Sequence, residues 1–252
     1  LIIFSIFSYI AHNYDEKKYV DSVREQLRAI SNIQTHRIQQ YLNAKKNLLK
    51  MIVSRRELRV ALAEYNKSGD KKYKDKIFSI LNDAKKGLEE IQEIKVTDLH
   101  GKIIVATDKR LENTYAPNFP NSIEQLQAIK VGVDVKHKNS MLLLKSRAPL
   151  YSEDEKIIGT VYVNINFDEL KKITNDYTGL GETGETVLAR KNLDGGVFLT
   201  PLRFDKEAVD KKFIFNDHQM QPMLKALNGE KELFENIKDY RQNNVYSATN
   251  FI

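Results

Sequence analysis

TGLGETGETVLARK, Thr178–Lys191, holds Gly179, Gly181 and Gly184 in a G-x-G-x-x-G pattern. Where such a run follows a strand and opens a helix, backbone N–H groups at the helix N-terminus cradle phosphate. Here the order is reversed. The amphipathic DELKKITNDY, Asp168–Tyr177, precedes the glycines, and the β-rich run Thr186–Arg190 follows them. A kinase loop is excluded too, since no H-R-D or D-F-G comes after it. Gly179 and Gly181 are therefore read as conformational, supplying the positive φ needed to leave a helix and enter a strand sharply.

Working outward, TVLARKNLDGGVFLTPL reads as strand, turn, strand around Asp194-Gly195, and QPMLKALNG reads as a short helix with Pro222 in its first turn. DYRQNNVYSATNFI closes as strand, polar turn, strand. About a hundred residues upstream the plan has a counterpart. IKVTDLHGKIIVATD is strand, turn, strand around Asp98–Gly101, followed by a loop with Pro117 and Pro120 and a capping-box start at Ser122…Gln125. MLLLKSRAPLY and KIIGTVYVNINF add two strands joined by the polar SEDE.

The N-terminal third has helical spacing. LIIFSIFSYIA, Leu1–Ala11, is apolar and uncharged but shorter than the roughly 20 residues a membrane span needs, so the chain is read as starting inside a transmembrane helix. Val20, Val23, Leu27, Ile30, Ile38, Tyr41, Leu42, Leu48, Leu49 and Ile52 then keep three- and four-residue steps, without Gly or Pro before Ser68. The spacing predicts one helix over about 16–65, roughly 75 Å at 1.5 Å per residue. A second amphipathic helix is expected over about 71–90. The whole is an α+β chain: a long helix carrying two antiparallel-sheet modules.

Composition narrows the chemistry. The 252 residues are 41% hydrophobic with mean hydropathy −0.49, and the absence of cysteine rules out disulfides, thiolate metal sites and cysteine catalysis. The +6 formal charge is spread among Glu and Asp along helical segments, without an arginine-rich tract, so no nucleic-acid partner is expected. The histidines His12, His36, His100, His137 and His218 are dispersed and fit no zinc spacing. Asp98 and Asp194 sit in hairpin turns, where Asp bonds local backbone. SEDE lacks the glycine and spaced ligands of a calcium loop. No nucleophile motif appears. We expect no catalytic residues, no metal and no cofactor.

DYTGLGETGETVLARKNLDGGVFLTPLRFD, QPMLKALNGE and DYRQNNVYSATNFI resemble the membrane-proximal module of tandem PAS-like (double Cache) sensor domains. These belong to bacterial transmembrane histidine kinases and diguanylate cyclases and, more broadly, to chemoreceptors. TDLHGKIIVATD and APLYSEDEKIIGTVYVNINF resemble the membrane-distal module. The resemblance implies residues 1–11 ending a transmembrane helix, 12–90 as the two helices, 91–167 as the distal module and 168–252 as the proximal one. It implies an inner-membrane receptor with this domain outside the cytoplasm and a histidine kinase as output, the domain itself being no enzyme. Its partners would be a small molecule, a second copy paired through the long helix, and the membrane through flanking spans. The alternative is a module that binds no small molecule and holds a dimer or a periplasmic protein.

In that family the ligand occupies the distal module. Alternation along GTVYVNINF puts Thr160, Tyr162 and Asn164 on one face and Val161, Val163 and Ile165 on the other. The polar set would line the pocket, with Tyr115 from the crossing loop, and the apolar set would pack on the long helix. Lys145 and Arg147 share a face of an otherwise apolar strand, as rim cations or as partners for an anionic ligand. Amino-acid-binding members carry an aspartate in the last distal strand and use a tryptophan. Here Asn164 takes that position and the chain has no tryptophan, which argues against an amino acid held in that way.

Overall fold

The structure, a computed structural model, describes residues 2–136, 141–214 and 220–252. His137 and His218 lie outside them. Among the described residues no helix is long and apolar enough to cross a membrane. The chain divides into two compact units, one of Leu1–Gln39 with Leu170–Ile252 and one of Gln40–Glu169.

Helix α1 spans Ile2–Val53 and gives its first part to one unit and its last turns to the other. It stops short of the expected end near Tyr65, because Arg55 turns extended (φ −62°, ψ 113°) before α2, Arg56–Ser68, begins. The cause is a phase slip in the apolar pattern. Leu49 and Ile52 are buried on α1, and the same face continued would present Arg56 and Arg59; the buried residues are instead Leu58, Ala61 and Leu62. Gly69 ends α2 in the left-handed region, and Asp70 caps α3, Lys71–Lys86, by accepting from Lys72 N–H. This helix also ends earlier than expected, with Gly87 as its C-cap.

In the second unit, strands β1 (Ile91–Thr97), β2 (Ile103–Ala106), β3 (Lys130–Lys136), β4 (Met141–Tyr151) and β5 (Ile157–Asn166) form one antiparallel sheet in the order β2-β1-β5-β4-β3. Strand β3 escaped the sequence reading, because KVGVDVK has a glycine at its centre and follows the short α4, Ile123–Gln127, without a turn signal. One sheet face is apolar. Ile94, Val96, Val161, Val163 and Ile165 are buried there, and α2 and α3 pack on β1, β2 and β5. The apolar set thus packs on α2, which helical spacing alone joins to the long helix, and the sheet packs on α3 as well. A bulge between Ile91 and Glu93 resets the alternation, so that Ile91 and Ile94 both turn inward.

The first unit is built on smaller sheets. α5, Asp168–Thr174, leads into the glycine loop. Strands β6 (Ala189–Lys191), β7 (Gly195–Phe198) and β8 (Lys212–Ile214) form a three-stranded antiparallel sheet, while β9 (Leu233–Lys238) and β10 (Asn244–Ala248) form a separate hairpin. The strand expected from Thr186 thus starts at Ala189, and DYRQNN is a turn whose first strand lies upstream in LFENIK. α6, Gln221–Leu227, has Pro222 in its first turn and covers a core of Phe198, Leu202, Phe213 and Leu224.

Candidate functional site

The second face of the five-stranded sheet is buried and polar, which costs free energy unless every group finds a partner. Register sets the side chains in rows across β1, β5 and β4. Glu93, Asn164 and Lys145 make one row; Lys95, Tyr162 and Arg147 the next; Thr97, Thr160 and Pro149 the third. Four of the five residues expected from the sequence are therefore neighbours on one face: Lys145, Arg147, Tyr162 and Asn164. Tyr115 is not among them. It is 68% exposed, and its neighbour Ala116 is the residue that joins Ile103 and Ala106 in the small apolar cluster against Tyr162.

Each row has its own electrostatics. Glu93 accepts from Asn164 Nδ2 at 2.7 Å and pairs with Lys95 Nζ at 3.0 Å, so a buried acid and a buried base neutralise each other. Lys145 is half-buried. Arg147 is buried and donates from Nη2 to the Gln125 carbonyl of α4 at 2.8 Å. α4 is held in turn by Ser122 Oγ, which accepts from Gln125 N–H. Burial pushes the Tyr162 phenol above the ordinary tyrosine range, and the Arg147 guanidinium opposes that rise. The Tyr162 hydroxyl is buried with no hydrogen-bond partner, as are the hydroxyls of Thr97 and Thr160. A buried polar group left unmade costs about 1–3 kcal/mol, so three adjacent ones mark a face that is incomplete by itself.

Sequence reasoning overlooked Glu93, Lys95 and Thr97. Their signal was present: in EIKVT they alternate with Ile94 and Val96, as Thr160, Tyr162 and Asn164 alternate with valines.

The glycine loop proves to be a clasp. Gly179 (φ 77°) and Gly181 (φ 63°) have the positive φ expected of them. Arg203 Nη1 donates to the carbonyls of Gly181 at 3.0 Å and Gly184 at 2.7 Å, with its guanidinium over the Tyr177 ring. Glu185 accepts from Arg203 N–H and from the Tyr240 hydroxyl. A phosphate cradle turns N–H groups inward; this loop turns carbonyls toward a cation, the opposite polarity. In the hairpins Asp98 accepts from the N–H groups of His100 and Lys102, whereas in the second hairpin Asn192, not Asp194, is the accepting side chain. An open cleft of about 810 Å³ also lies between α1 and the β9–β10 hairpin, but Arg24 there is matched by Asp21 and Glu235, and Lys231 by Asn32.

No family model matches the sequence, and no curated protein matches it. Solved structures do. The extracellular domain of vpHK1S-Z8, assigned as a histidine kinase, aligns with a TM-score of 0.63 at 10% identity, covering 85% of this chain and 86% of that one. The periplasmic sensory domain of the Campylobacter jejuni chemoreceptor Tlp1 gives 0.57 at 12% identity, over 91% and 90%. The ligand-binding domain of Campylobacter jejuni Tlp3, solved with 4-methylisoleucine, gives 0.56 at 13% identity, over 85% and 81%.

The chain shares the α+β fold of these sensor domains, a long N-terminal helix with antiparallel sheets. In this fold the polar sheet face, with α4 across it, is the candidate site.

Proposed function

We propose that the chain is the extracytoplasmic ligand-sensing domain of a bacterial inner-membrane signalling receptor whose output is a histidine kinase. Residues 91–167 form the membrane-distal, ligand-binding module and 168–252 the proximal one. A small molecule sits on the polar sheet face, against Lys145, Arg147, Tyr162 and Asn164. The observation that carries this reading is the buried polar face itself, with three hydroxyls lacking partners beside a buried arginine. The fold shared with the Tlp3 domain, which holds a small molecule, supports it. Pairing with a second copy runs through α1, where Tyr19, Ile33 and Met51 are large apolar side chains left exposed.

Thermal-shift screening of small organic acids, amines and amino acids tests the reading. At least one should raise the melting temperature saturably, and Arg147→Ala or Asn164→Ala should reduce the response. A hit indifferent to both substitutions would place the site elsewhere.

A further inference from the structure

We infer that the first unit offers a docking slot for one more β-strand, between the free edges of β6 and β10, and that the polypeptide following β10 fills it. The slot belongs to the unit without the ligand face proposed above, and it takes an extended segment with alternating apolar residues.

The first ground is the repeated order of elements. In the second unit β1 pairs with β2, a short helix follows, β3 pairs with β4, and β5 then enters between β1 and β4. In the first unit β6 pairs with β7, α6 follows, and β9 pairs with β10. β8 adds to the far edge of β7 and leaves β6 open. Among the described residues no strand takes the place of β5, so the sheet divides into a triplet and a hairpin where β5 joins the other one. By the same order, the segment that enters is the one that follows β10.

The second ground is backbone bonding and burial. Leu188 accepts from Leu199 N–H and Asn192 donates to the Gly195 carbonyl, so alternate residues here face β7. Ala189 and Lys191, between them, aim their N–H and C=O groups at the open edge. Burial agrees. No residue of β6, β9 or β10 is buried, whereas most of β1 and β5 is. Leu233, Ile237 and Val245 of the hairpin, with Val23, Leu27 and Ile30 of α1, are only half-buried. In the second unit β5 closes the layer with Val161, Val163 and Ile165. A strand of that kind would bond both edges here and take these side chains out of water. α6 already reaches both flanks of the slot: Asn228 Oδ1 accepts from Lys191 Nζ at 3.0 Å, and Lys225 Nζ pairs with Glu232 at 3.2 Å. Direction follows too. Lys231 bonds Asn32 and Glu235 pairs with Arg24, so β9 runs toward the start of α1 and β10 runs away from it. A strand antiparallel to β10 therefore returns along α1.

The test compares the 252-residue chain with the same chain continued by about 20 residues of its own reading frame, enough for a turn and one strand. Residue-resolved amide exchange by nuclear magnetic resonance is the readout. In the 252-residue chain the amides of Ala189 and Lys191 should exchange about tenfold faster than those of Arg190 and Asn192. In the continued chain all four should be protected alike, and the melting temperature should rise. Ala189 and Lys191 staying fast in the continued chain would overturn the inference, as would a reading frame that offers no apolar strand there. Protection of both amides already in the 252-residue chain would overturn it too, and a dimer in analytical ultracentrifugation would then assign the open edges to a second copy.

Discussion

Thr160 and Gly181 illustrate how one residue can separate a binding role from a packing role. A Thr160 hydroxyl that serves only folding would have a partner, and its removal would destabilise. With none, Thr160→Val should leave the melting temperature unchanged or raise it, because the change deletes an unsatisfied buried group. Thermal denaturation of the two proteins without ligand checks this. Gly181 has φ 63° and open space where a Cβ would be, so Gly181→Ala should destabilise by about 1–2 kcal/mol from the left-handed backbone alone. Gly179→Ala should lose more, since its Cβ would stand 3.0 Å from Ile30 Cδ1. Urea unfolding should rank the two in that order, and neither ATP nor NAD should shift the melting temperature of the native chain. At this scale the sequence disclosed the conformational glycines and the polar half of β5, because both follow from local geometry. It concealed the pairing of Glu93 with Asn164, which depends on a bulge and on which strand lies beside β5.

Segments joining the elements have their own electrostatics. Asp176, just past α5, accepts from Thr178 and from Arg37 Nη1 of α1 at 2.7 Å, and these bonds hold its carboxyl at about 2, well below the usual aspartate range. A depressed carboxylate contributes stability that is present above the unfolded value near 4 and lost as pH falls toward 2. Asp176→Asn should therefore destabilise at pH 7, and the difference from the native chain should vanish between about pH 4 and 2. Melting temperature against pH for both proteins reads this directly. At the other end of the scale, burial and then Glu90 push the Tyr41 phenol above its ordinary range, so its contribution is lost only in strong alkali. Lys45, buried between Glu90 at 2.5 Å and the exposed Glu169 at 3.3 Å, ties α1 to the segments before β1 and at the start of α5. The helices themselves were legible from their spacing, including the break at Asn66–Asp70. The earlier break at Arg55 was also written in the apolar pattern, as a slip of phase, and went unread because neither glycine nor proline marks it.

For the molecule as a whole, order of elements carried more information than identity of residues. Strand, turn, strand, loop, short helix and paired strands recur in both halves, and that order led to the fold later matched by sensor domains only 10–13% identical. The first unit departs from a single sheet because its strands are three to six residues long and split into a triplet and a hairpin. Function was less legible, since a ligand face is defined by what its polar groups lack, and a sequence shows no missing partners. The central claim is that a small molecule is sensed on the polar face of the five-stranded sheet. Hydrogen–deuterium exchange, measured with and without a saturating hit from the thermal-shift screen, tests it most directly. The account predicts ligand-dependent protection in β1, α4, β4 and β5, with β6–β10 unchanged, and loss of that protection in Arg147→Ala. Protection confined to residues 178–248, or persisting in full in Arg147→Ala, would contradict it.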